Sequence, residues 1–165
     1  MSENTQPALS ATDNHLSTFV GEKYNSYYQK KWQLKLGQLK GFNVAAFFLG
    51  VIWLIYRKMY LYAAIFLGVI SLDIAVEIFY PLPEAIGRGL TWGIAAMFGV
   101  MGNYWYKIYA DKKVSQINAS FTPQQVPAEL VKQGGTNLAA ALIAAIVMLA
   151  LVGFGLWAIY SGKLN

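Results

Sequence analysis

Few residues in this chain of 165 are equipped for chemistry. Asp73 and Glu77 stand four apart in an apolar run, so a helix stacks the two carboxylates on one face. Paired acids in a membrane bind cations or relay protons, because neighbouring carboxylates share charge poorly and one tends to keep its proton. The plainer use is a structural or partly hydrated acid. Glu77 lies near Tyr80 at the expected headgroup level, while Asp73 is about 10 Å deeper by helical rise and carries the desolvation cost. No lysine or arginine is available at that depth; Asn103 falls at the opposite end of its own stretch, and Arg88 is placed to reach Glu77. There is no cysteine and one histidine, His15, which reads as a solvated side chain in a polar segment. Thiolate zinc sites, cysteine nucleophiles and disulfides are thereby excluded, and a histidine triad has His15 alone to draw on. With no phosphate loop, dinucleotide fingerprint or metal cluster either, the sequence reads as a non-enzyme with no cofactor and no bound metal.

The elements that must position these residues are dictated by composition. Hydrophobic residues make up 56% of the chain and charged residues 13%, more apolar surface than one small soluble core can bury. The expected fold is an all-α integral membrane protein with lipid as its solvent. Residues 1–17 are polar and read as a mobile tail. Residues 18–40 read as a basic amphipathic interfacial helix, with Tyr24, Tyr28, Trp32, Leu36 and Leu39 at helical spacing. Lys30, Lys31, Trp32, Lys35 and Lys40 are its expected contacts with anionic headgroups. Aromatics interleaved with lysines also suit a nucleic-acid groove, but the membrane stretches that follow directly favour lipid, and no nucleic acid is expected.

Residues 41–165 read as a helical membrane domain with four apolar stretches and a hydrophilic loop over 111–135. Residues 42–56 reach about 22 Å as a helix, short of the ~30 Å hydrocarbon core. The stretches 59–80, 90–109 and 137–160 are long enough to span. Within the loop, Pro127–Gln133 reads as a short surface helix ended by Gly134 in the left-handed conformation. Charge decides the topology. If all four stretches span, the 13 lysines and arginines divide almost evenly between the two sides. If residues 42–56 form a re-entrant or interfacial helix, eleven fall on one side and two on the other, as the positive-inside rule prefers. Three spans with a cytoplasmic N-terminus are therefore expected, with four spans as the alternative. Arg57 and Lys58 then turn the chain at the inner face and extend to phosphates. Ala95, Gly99 and Asn103 on the third span, and Ala140 and Ala144 on the fourth, recur at the spacing that lets membrane helices approach closely. They serve packing within the chain, or a homo-oligomer.

Phe19–Trp32 (FVGEKYNSYYQKKW), Phe42–Tyr62 (FNVAAFFLGVIWLIYRKMYLY), Gly102–Tyr109 (GNYWYKIY) and Gly134–Asn137 (GGTN) together resemble the domain-of-unknown-function 2628 family of small bacterial membrane proteins. Val51 stands where that family pattern has a proline, and its absence predicts a straighter helix there. The resemblance implies a bacterial inner-membrane location and brings no catalytic residue. The functional expectation is an accessory or scaffold protein of the inner membrane, in contact with anionic lipid and with a membrane-protein partner or further copies of itself. The alternative is a small oligomeric ion or proton conductor using Asp73 and Glu77.

Overall fold

The computed structural model describes residues 11–34 and 41–162. Every regular element among the described residues is helical. In chain order these are α1 (Ala11–Val20), a π-helical turn (Tyr24–Tyr28) running into α2 (Gln29–Trp32), α3 (Val44–Leu49), α4 (Val51–Tyr56), α5 (Tyr60–Phe79), α6 (Glu84–Ser120), α7 (Val126–Gln133) and α8 (Leu138–Tyr160). Two compact units result: the described residues up to Asn43 with Gly99–Gly135, and Val44–Phe98 with the described residues from Thr136 onward.

In the first unit, α1 buries Leu16, Phe19 and Val20 and packs on α7, whose Val126 and Leu130 are buried one turn apart. The segment read as a mobile tail to residue 17 thus contains a helix from Ala11 onward, because Leu16 has an apolar partner to bury against. The π turn accounts for the aromatic spacing. A four-residue repeat drifts around a 3.6-residue helix, and one wider turn offsets the drift, so Tyr24, Tyr28 and Trp32 gather in one cluster. The ring of Trp32 lies 5.8 Å from that of Tyr24 and 5.3 Å from that of Tyr28, and Tyr28 meets Tyr106 of α6 at 4.9 Å. One continuous helix over 18–40 is therefore not what forms; Lys35, Leu36, Leu39 and Lys40 lie outside the described residues. α7 ends close to its expected boundary, with a correction in the cap. Gly134 has φ −89°, and Gly135 takes the left-handed φ of +70°. Gly135 N–H donates to Phe19 O at 2.7 Å, and a Cβ on Gly134 would stand 2.1 Å from that same oxygen. Only glycine lets the backbones of α1 and α7 meet there.

In the second unit, α5 and the start of α6 are joined by four residues around Pro81 and Pro83, which makes them antiparallel neighbours; the rings of Phe66 and Phe98 meet between them in a tilted pair at 4.7 Å. α4 packs on both α5 and α8, burying Val51, Trp53 and Leu54. Its C-terminus closes in a Schellman motif. Met59 N–H donates to Leu54 O, Lys58 N–H donates to Ile55 O, and Lys58 takes φ +58°. Leu54 and Met59, both fully buried, supply the apolar contact of that motif. Asn137 caps α8: its side-chain oxygen accepts the Ala140 N–H at 3.0 Å, its amide donates to Tyr60 OH at 2.9 Å, and its backbone N–H donates to Tyr56 O at 2.8 Å. One residue thus fixes the end of α4 and the starts of α5 and α8 at a common level.

Two expectations change here. The stretch 42–56 is not a straight helix, since Gly50, at φ +48° and ψ −116°, divides α3 from α4. The missing proline at Val51 leaves the break in place because the preceding glycine makes it. Among the described residues two helices, not three, are long and apolar enough to cross a membrane: α5, of mean hydropathy 2.0, and α8, within a stretch of mean hydropathy 2.6. The corresponding part of α6 is diluted by Arg88, glycines and the run from Asn103 to Lys107, whose rings and polar tips contribute little hydropathy.

Candidate functional site

Asn103 is the most connected polar side chain of the first unit. It is 4% exposed. Its amide donates to Gly41 O at 2.8 Å and to Tyr27 OH at 3.4 Å, and its side-chain oxygen accepts from the buried Asn43 amide at 2.8 Å. Its backbone carbonyl accepts the Trp32 indole N–H at 2.9 Å. Asn43 N–H in turn donates to Gly99 O at 2.7 Å, and the Phe42 ring rests where a Gly99 side chain would be, 2.2 Å from the position of its Cβ. Lys31 closes the arrangement, donating to Phe42 O at 2.9 Å with its ammonium 5.0 Å above the Tyr27 ring. The Asn103 side chain thus has partners for both its amide and its oxygen, as a buried amide requires. The arrangement holds residues 41–43 on α6.

Several predicted residues acquire other roles through this arrangement. Gly99 and Asn103, expected to seat another span, receive Phe42 and Asn43. Lys31 and Trp32, expected at headgroups, point into the unit, while Lys30 is exposed. Arg57 is 6% exposed and lies over the Tyr56 ring, 5.4 Å from its centroid, so it is buried and not extended toward phosphates. Ala95, Ala140 and Ala144 are half-buried. Nearby, Tyr24 OH donates to Asp13 at 3.1 Å; burial first, and then this bond to a carboxylate, push its pKa up to about 12. Glu129 is held below its usual range by hydrogen bonds from Gln133 and Lys132.

The acids Asp73 and Glu77 are exposed on α5 and line a groove of about 430 Å³ with Glu84, Arg88, Thr91 and Trp92. Arg88 pairs with Glu84 at 3.2 Å, one turn away on its own helix, and not with Glu77; the i,i+4 geometry is met without reaching across. Glu77 instead lies against Gly87, whose Cβ position is 3.8 Å from its Oε1. Among the described residues no group of three acids, histidines or cysteines is arranged to hold a metal.

The residues that the composition conceals are Asn43, Tyr27 and Asn137. Asn43 and Asn137 each stand just before a helix start, inside the FN and GGTN blocks, and Tyr27 lies within the π turn. Those blocks now have a physical content: each carries the asparagine that ties a helix start to its neighbours. No curated protein and no solved structure matches the chain. Residues 12–111 match the family described as Protein of unknown function (DUF2628), a match that takes in the FN, YRKMY and GNYWYKIY blocks, and the chain belongs to that family.

Proposed function

We propose that this is a non-enzymatic integral membrane protein, an accessory or scaffold of the bacterial inner membrane with its N-terminus in the cytoplasm. The observation that carries this reading is the exposure of its most apolar helices: only 6% of each spanning window in α5 and α8 is buried. Leu61, Ile78, Phe79, Leu149 and Leu151 are each more than 60% exposed, a pattern suited to lipid and costly in water. The first part of α6, antiparallel to α5 through Phe66 and Phe98, serves as the third span. Lys30, exposed in the first unit, is available to anionic headgroups. The test is extraction of the expressed chain from membranes. Retention through alkaline and high-salt washes, with release only by detergent, is the expected result; release by salt would refute integration. Co-purification in mild detergent then asks for the partner.

The groove beside Asp73 and Glu77 favours a second reading, an oligomeric ion or proton conductor. Under it, Asp73→Leu abolishes flux in proteoliposomes while the fold survives. Flux absent from both forms would retire it.

A further inference from the structure

We propose that α3 and α4 form a wedge that enters and leaves the bilayer by the face where α5 and α8 begin, presenting Phe48 and Leu49 to the acyl chains of that leaflet alone. The proposal rests on the membrane reading above and specifies which lipid the broken segment touches. Two independent measures give its depth. The first comes from α4. Asn137 places the end of α4 level with the starts of α5 and α8, and α4 packs back along both helices. Six residues at 1.5 Å each then set Gly50 about 9–10 Å below that level.

The second measure comes from α6. α5 has 20 residues and is about 30 Å long, the thickness of the hydrocarbon core. Phe66 lies about 9 Å from its start and Phe98 about 21 Å from the start of α6. These sum to the length of α5, so the two antiparallel helices are in register with one ~30 Å slab. Trp92 is then about 18 Å below the level where α5 begins. Phe47 of α3 stacks on Trp92 at 6.2 Å between ring centroids, which ties α3 to that level. The two measures bracket the broken segment between about 9 and 18 Å, too deep for a helix lying among headgroups and too shallow for a ~30 Å span.

The exposure pattern matches that depth. Val44 is 59% exposed, Phe48 74% and Leu49 47%, all on the short α3, while Val51, Trp53 and Leu54 of α4 are buried. α3, α5 and α8 of this unit all expose large apolar side chains, and one apolar solvent suits all three. No six-residue helix can cross 30 Å, and the polar backbone freed at Gly50 is re-satisfied locally: Gly50 N–H donates to Ala46 O, and Gly50 O accepts from Trp53 and Leu54.

The test uses the full chain in proteoliposomes, with single cysteines introduced into a sequence that has none. A fluorophore on Phe48→Cys, and separately on Leu49→Cys, is read against phospholipids brominated at successive acyl positions. Quenching is expected to rise from headgroup-proximal to mid-chain bromines. Membrane-impermeant thiol reagent is expected to label Ser26→Cys and Lys58→Cys from the same side. Strongest quenching by the shallowest bromines would overturn the wedge in favour of an interfacial helix. Labelling of Ser26→Cys and Lys58→Cys from opposite sides would overturn it in favour of a fourth span. A chain that fails to float with the vesicles would overturn the membrane reading itself, whereas floating with shallow quenching overturns the wedge alone.

Discussion

At Lys58 a side chain occupies the left-handed position of a Schellman cap, which costs an L-residue about 1 kcal/mol relative to glycine. Lys58→Gly is therefore expected to raise stability by roughly 0.5–1 kcal/mol, read as a higher melting temperature in detergent. Asn103 behaves oppositely. Asn103→Leu removes the acceptor of Asn43 and the donor to Gly41, stranding buried groups at about 1–3 kcal/mol for each one left unpaired. Loss of stability on that scale, with chemical-denaturant unfolding as the measure, is expected even though leucine suits a membrane helix. Lys30 and Lys31 divide in the same way: Lys31→Gln weakens the hold on the Phe42 carbonyl and lowers the melting temperature, and Lys30→Gln leaves it unchanged. The sequence shows two adjacent lysines and offers nothing to separate them, because the acceptor for Lys31 is a backbone oxygen eleven residues away. The same limit hid Asn43 and Asn137, whose partners are set by which backbones meet.

Helix identity was legible wherever apolar residues recur over long stretches, as in α5 and α8, and where turn chemistry is local, as with Pro127 starting α7. Boundaries that depend on tertiary contact were not. α1 exists because α7 covers Leu16 and Phe19, and the π turn brings Tyr28 and Trp32 together on Tyr106, with Tyr24 against Trp32. The α1–α7 contact gives two predictions at this scale. Gly134→Ala places a methyl against the Phe19 carbonyl, and that oxygen is backbone and cannot turn aside; a destabilisation of about 1–3 kcal/mol is expected, with faster amide exchange in α1 and α7 before the rest of the chain. Tyr24 adds a pH signature. Its folded-state pKa of about 12 lies above the ordinary value of 10.0, so the folded state favours the protonated phenol. That stability is fully present below pH 10 and is lost as pH rises toward 12. Stability measured from pH 9 to 12 is expected to fall less steeply in Tyr24→Phe, which has no phenol to ionise; equal slopes would place the loss elsewhere.

For the whole molecule, α6 is the element that both units share. Its part up to Phe98 is antiparallel to α5 in the second unit; the part from Gly99 carries Lys107, Lys112 and Lys113 and belongs to the aromatic, hydrogen-bonded first unit. The sequence conveyed this division through charge alone, since a re-entrant 42–56 puts eleven of the 13 basic residues on one side. The break at Gly50 divides that stretch into two six-residue helices. Reporter fusions at Gly21, Lys58 and Gln124 are accordingly expected to report the cytoplasm, and fusions at Glu84 and Lys163 the opposite side. Charge is the cause being tested, so the arrangement must respond to it. Adding lysines beside Glu84 while neutralising Lys112 and Lys113 reduces the asymmetry that the positive-inside rule uses, and is expected to yield mixed orientations. A fusion at Gly21 that reports outside while Lys58 reports inside would give residues 42–56 a full crossing; six-residue helices on either side of Gly50 make that outcome incompatible with this fold.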